Sequence, residues 1–170
     1  MKSILLILIA FMFCFYGFGQ NGQPANELFQ AALTKAKKEH KNVFIIFTAT
    51  WCGPCNYLKR GLYDVYNVQF FEKNYVILEL YNHELGTKKS FENHGGDSIR
   101  AAYKGDTTSV PYWLIVNPVG KKLYGESGFS NYPKDLTRFI KVLKETSHLN
   151  DSELQMIYDR FNQLSRSIPD

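Results

Sequence analysis

A chain of 170 residues, 45% hydrophobic and 15% aromatic, is suited to one globular domain with a proper core. Lys and Arg number 20 against 16 Asp and Glu, a net charge of +4. The positives (Lys35, Lys37, Lys38, Lys41, then Lys88 and Lys89, then Lys121 and Lys122) are separated by acids, which excludes a nucleic-acid arm and a polybasic anchor.

The first element in chain order is a leader. Lys2 supplies a positive charge, Ile4–Tyr16 is unbroken apolar sequence, and Gly17 and Gly19 are the small residues before a cut at Gln20. Residues 1–19 therefore read as a secretory signal peptide. The competing membrane anchor is disfavoured because the apolar run falls short of the roughly 18 residues a span needs. A lipid-anchored reading through Cys14 fails on the bulk of Phe11-Met12-Phe13. Cleavage removes Cys14, so the mature chain keeps only Cys52 and Cys55.

A polar lead-in, residues 20–25, precedes a helix from Asn26 to His40 with Leu28, Phe29, Ala32, Leu33 and Ala36 on one face and Asn26 as its N-cap. Val43–Phe47 is a short β-branched and aromatic run, the pattern of a strand buried on both faces. The stretch Trp51-Cys52-Gly53-Pro54-Cys55 follows at once, and Tyr57, Leu58, Leu62, Val65 and Tyr66 continue it as a helix to about Tyr66. Asn67 caps a further short turn, Tyr75–Tyr81 is a second strand, and residues 82–110 are polar, with a helix from about Asp97 to Tyr103. A third strand, Tyr112–Val116, is entered through Val110-Pro111 and turns at Asn117–Gly120 into a hairpin strand, Lys121–Glu126. Pro133 opens a helix to about Thr146. The last helix, about Ser152–Leu164, carries a Ser152/Gln155 capping box. The order implies an α/β fold: a four-stranded mixed sheet flanked by helices. The expected organisation is a leader (1–19), one domain (20–147) and a C-terminal helical extension (148–170).

A strand-to-helix turn gives two cysteines different chemistry. Cys52 stands at a helix N-terminus, where unpaired N–H groups and the dipole stabilise a thiolate. Cys55 lies one turn on, on the same face. Cys52 is thus the nucleophile that attacks a disulfide, and Cys55 the resolving thiol that releases the reduced product. Gly53 lets the backbone pass tightly and Pro54 suits a first helical turn. A staple is a poor explanation, because so short a loop constrains the unfolded chain little. Zinc needs four ligands, and His83 and His94 match no finger spacing. No metal and no cofactor are expected.

A bare Cys-x-x-Cys is weak, but the pentapeptide arises by chance on the order of 10⁻⁶ times in such a chain. It is identical to the active-site motif of thioredoxins. Val110-Pro111 resembles that family's cis-proline element, and Gly128 falls where thioredoxins have a glycine after the hairpin. The resemblance spans about residues 26–147. In its export and its Asn67-led turn the chain is similar to the C-terminal domain of DsbD-type thiol reductases. It implies that Pro111 is cis and faces the dithiol, that Val110 pairs with an extended substrate segment, and that Trp51 flanks the dithiol and contacts partners.

Two departures follow. Thioredoxins carry a buried Asp six residues before the first cysteine, where this chain has Ile46, and their Lys partner aligns with Glu79. Glu79 is therefore a candidate proton acceptor for Cys55; the alternative leaves it pointing to solvent. The stretch before Pro111 is also longer than in a minimal thioredoxin, and either borders the dithiol or is peripheral. The resemblance implies an exported, periplasmic or secreted thiol–disulfide oxidoreductase that reduces protein disulfides, supplied by a membrane thiol donor of the DsbD or CcdA kind, with no nucleic-acid partner and no membrane insertion after cleavage. The alternatives are a disulfide oxidase or isomerase, and a binding module with little turnover.

Overall fold

The apolar run after Lys41 forms β1 (Asn42–Thr48) at the inside of a sheet, because it has no polar face to turn outward. Every residue from Val43 to Thr48 is fully buried. The computed structural model describes residues 22–130 and 133–166, so the expected leader and Cys14 lie outside the described residues. β1 runs parallel to β2 (Tyr75–Tyr81), with Asn42 opposite Tyr75 and Thr48 opposite Tyr81. On its other side it is antiparallel to β3 (Tyr112–Val116), which pairs with the antiparallel β4 (Lys122–Ser127). The order β2-β1-β3-β4 is the four-stranded mixed sheet expected from the sequence.

Six α-helices among the described residues cover the sheet: α1 (Ala25–Glu39), α2 (Gly53–Leu62), α3 (Val68–Asn74), α4 (Gly96–Ala102), α5 (Pro133–Thr146) and α6 (Asp151–Arg166). The period-2 alternation of the strands sorts their side chains into two layers. Val43, Ile45, Phe47, Val76, Leu78 and Leu80 meet Phe29, Ala32 and Ala36 of α1 and Ile99 of α4. On the opposite face Phe44, Ile46, Tyr75, Trp113 and Ile115 meet α2, α3, α5 and α6. That second layer is aromatic: Phe44 stacks on Trp113 with centroids 5.7 Å apart, and Phe139 stands edge-on to Trp113, Phe129 and Phe161. Each such ring contributes about 1.5–3 kcal/mol by leaving water.

The expected C-terminal extension supplies α6, and its Leu154, Ile157 and Phe161 enter this same core. The helix is tied to α2 by a hydrogen bond from Tyr57 Oη to the Phe161 carbonyl (2.9 Å) and, just past the end of α2, by Arg160, which holds the carboxylate of Asp64 at 2.7–2.8 Å.

Four local expectations need correction. Asn26 lies inside α1, whose N-cap position is Pro24. The helix after the cysteines ends at Leu62, four residues early, because Asp64 accepts from Tyr66 N (3.0 Å) and draws the backbone out of the helical ladder. Asn67 precedes α3 but makes no side-chain cap there; its Nδ2 donates instead to the Gly61 carbonyl (2.9 Å), one left open at the end of α2. The capping box of α6 is Asn150/Glu153, each side chain accepting from the other's backbone N–H at 2.8–3.0 Å, two residues before the expected Ser152/Gln155. Gln155 bonds Asp159 along the helix. A 3₁₀ helix, Gly86–Phe91, also lies in the stretch that carried no readable period.

Candidate active site

Cys52 occupies the N-cap position of α2 with an extended backbone (φ −82°, ψ 105°), and its Sγ accepts from Cys55 N at 3.2 Å. Cys52 and Cys55 form a disulfide, their Cα atoms 5.2 Å apart. Both are buried, Cys52 with 2% of its surface exposed and Cys55 with none. Ala49 packs beside them and Val110 closes against the pair. Pro54 stands in the first turn of α2, where a missing N–H costs nothing. Gly53 differs from expectation: a Cβ there would meet nothing within 4 Å, so no close passage of chain requires glycine.

The loop before β3 comes up beside the dithiol, and the Val110–Pro111 peptide is cis. Gly128, just past β4, donates its N–H to the Pro111 carbonyl (2.7 Å), and its own carbonyl accepts from Trp113 Nε1 (3.1 Å). It does so at φ +78°, a conformation that favours glycine, while the space around it is open. Pro54, Val110, Pro111, Gly128 and Phe129 line a groove of about 360 Å³. Arg138 also lines it, ion-paired with Glu126 and 3.7 Å from Asp135.

Trp51 is 53% exposed at the rim of the dithiol, so it is not part of the core. Its Nε1 donates to the His83 carbonyl (2.8 Å). Thr50 donates both its backbone N–H (2.6 Å) and its hydroxyl (2.7 Å) to the carboxylate of Glu84. The long stretch before Pro111 therefore borders the site. Glu84, 2% exposed, was missed in the sequence because nothing in its polar surroundings marks it as buried.

Glu79 faces Ile46 across the β1–β2 pair and lies on the α2 side of the sheet. Its carboxylate stands 3.3 Å from Lys59 Nζ and accepts from Tyr81 Oη (3.2 Å). Burial, and then this carboxylate, push the Tyr81 hydroxyl above its ordinary range. Lys59 is one turn beyond Cys55 on α2, so an acid–lysine pair is rebuilt here with the cation on the helix. That spacing was visible in the sequence; the partner across the sheet was not. His83 Nε2 faces Asp97 at 3.3 Å, and among the described residues no three His, Cys, Asp or Glu side chains cluster as metal ligands.

A disulfide at the head of a helix that leaves a buried strand, on a four-stranded sheet of this order flanked by helices, is the arrangement of the thioredoxin fold. A family model described as thioredoxin-like matches residues 25–118, and the chain belongs to that family. An H-type thioredoxin of Chlamydomonas reinhardtii is 64% identical over 25 residues, 15% of this chain and 22% of that protein. One of Oryza sativa subsp. indica is 57% identical over 30 residues, 18% and 25% of the two chains. The chain thus matches a quarter or less of these relatives' length. Among solved structures, a disulphide isomerase of Xylella fastidiosa Temecula1 is similar at 21% identity, over 83% of this chain and 91% of that one, with a TM-score of 0.49. DsbH oxidoreductase is similar at 22% identity, over 66% and 79%, with a TM-score of 0.44.

Proposed function

We propose that this chain is an exported thioredoxin-like reductase of protein disulfides. The observation that carries the reading is the Cys52–Cys55 pair at the N-terminus of α2, flanked by exposed Trp51 and by the groove at Val110–Pro111. Cys52, released as a thiolate at the helix end, attacks one sulfur of a substrate disulfide and expels the other as a thiol. Cys55 then attacks Cys52 in the mixed disulfide, which frees the second substrate thiol and leaves Cys52–Cys55 oxidised. An extended substrate segment pairs with the backbone at Val110, strand fashion, beside Pro111. Glu79, held between Lys59 and Tyr81 on the α2 side, receives the Cys55 proton.

The reducing direction is supported by the Gly53-Pro54 dipeptide, which the chain shares with thioredoxins, whose couple lies near about −270 mV. Export is supported by the leader pattern of residues 1–19. No described helix is long and apolar enough to cross a membrane. A membrane thiol donor of the DsbD or CcdA kind would return two electrons to the pair. Equilibration of Cys52–Cys55 with glutathione buffers tests the direction. The expected midpoint is below about −250 mV, and one above about −200 mV makes the chain an oxidant. Trapping in cells should find mostly dithiol.

A further inference from the structure

Two buried charged side chains in the stretch between β2 and β3 have no part in the thiol chemistry. Glu84 is 2% exposed and Arg100 is fully buried. Each reaches one of the two loops that flank the dithiol. Glu84 takes both donors of Thr50, two residues before Cys52, and the adjacent His83 carbonyl holds Trp51. Arg100 donates from one Nη to the carbonyls of Asp106 and of Ser109, the residue before Val110–Pro111. Its guanidinium carbon lies 5.3 Å from the ring centres of both Phe47 and Tyr112. Asp97 joins the two halves, with one oxygen 3.3 Å from His83 Nε2 and the other 3.5 Å from Arg100 Nη.

Buried charge is weak evidence for stability, since desolvation offsets much of what the partners return. Here the donors that Glu84 satisfies, and the carbonyls that Arg100 satisfies, belong to the two loops a substrate must touch together. We propose that Glu84 and Arg100 are positioning residues. Through Asp97 and His83, the residue next to Glu84 in the chain, they form one bracket that sets the spacing between the Cys52 loop and the Val110–Pro111 loop, so that a disulfide-bearing segment seated at Val110 presents its sulfur to Cys52. The proposal rests on the thiol–disulfide reading above. Misplacement of a reacting group by about 1 Å can cost about a hundredfold in rate, so a bracket that keeps this spacing acts on turnover without touching substrate.

The test uses the full chain, ¹⁵N-labelled, with a single-disulfide peptide as substrate and dithiothreitol as electron donor. Glu84→Ala and Arg100→Met should each lower kcat/KM about tenfold or more. Each should also disturb the loop it does not touch: Glu84→Ala shifts the Val110 amide resonance, and Arg100→Met shifts the Trp51 indole N–H. Glu84→Gln and Arg100→Lys, which keep part of the bonding, should retain most of the activity. Leu154→Ala, a core change on α6 (Leu154 is 3% exposed), controls for general loosening and should leave kcat/KM and both resonances near wild type. Wild-type kcat/KM and an unmoved Val110 amide in Glu84→Ala overturn the bracket. If the truncating variants do not fold, Asp97→Asn decides, because that side chain is 49% exposed and tolerates change: both resonances must move. A wild-type chain without turnover defeats the functional reading alone, since the cross-loop shifts still decide the bracket.

Discussion

Gly61→Ala sets two effects of opposite sign against each other. Alanine exceeds glycine in a helix interior by about 1 kcal/mol, so on propensity alone the change strengthens α2. A Cβ at that position, however, would stand 2.0 Å from Cε1 and Cζ of Phe161. Carbon atoms in contact settle at about 3.5–4.0 Å. The ring has nowhere to retreat, being fully buried with the rings of Tyr57, Phe129 and Phe139 at 5.4–5.8 Å. Overpacking of this kind costs about 1–3 kcal/mol, and an overlap of two atoms against a boxed ring belongs at the upper end. The net is a loss of about 2 kcal/mol, or roughly 4–8 °C in Tm for a chain of this size. Phe161→Ala alone costs about 3–5 kcal/mol. In that background the obstacle is gone, and Gly61→Ala should stabilise by up to about 1 kcal/mol. Urea midpoints at constant m, measured on the oxidised protein, give the four corners of the cycle. A higher midpoint for Gly61→Ala in the wild-type background refutes the packing argument, as does an equal effect in both backgrounds.

Further outcomes concern the site and its pH dependence. Cys55→Ser should accumulate mixed disulfides through Cys52, visible as reductant-sensitive adducts on electrophoresis, while Cys52→Ser should not; the reverse would exchange the two roles. Glu79→Gln should change the shape of the pH profile for disulfide reduction, and an unchanged profile removes Glu79 as proton acceptor. The hydrogen bonds from Arg160 hold the Asp64 carboxyl below its ordinary value. With the folded value depressed, that contribution is complete above the unfolded value of about 4 and is lost as the pH falls through the folded one, so Arg160→Met should flatten the acid limb of a stability–pH curve. Burial pushes Tyr57 and Tyr75 up to about 12. With those folded values raised above an unfolded value of about 10, their stabilisation holds below pH 10 and is lost between about pH 10 and 12. Tyr57→Phe should reduce that alkaline loss, at a cost of about 1 kcal/mol for the bond to the Phe161 carbonyl.

The strands were legible because a run such as Val43–Phe47 is β-branched and aromatic and too short for a buried helix, and the dithiol because its five residues are specific and stand at a strand end. Helix ends were read less well, since they turn on side-chain bonds that compete with the ladder, as at Asp64 and at Asn67. Position 84 was hidden for a different reason. Its burial depends on Thr50, 34 residues earlier, and a polar sequence carries no period that marks such a partner. Lys59 could be placed on the face of Cys55 from spacing alone, but its pairing with Glu79 needed the parallel register of β1 and β2.

The hydrogen bond from Tyr57 to the carbonyl of Phe161 spans 104 residues. A ribosome adding about 5–20 residues per second needs roughly 5–20 s to make that stretch. For that interval the cysteine helix exists without the partner that packs on Tyr57 and Gly61. The order of synthesis therefore makes the packing of α2 wait on the last helix of the chain.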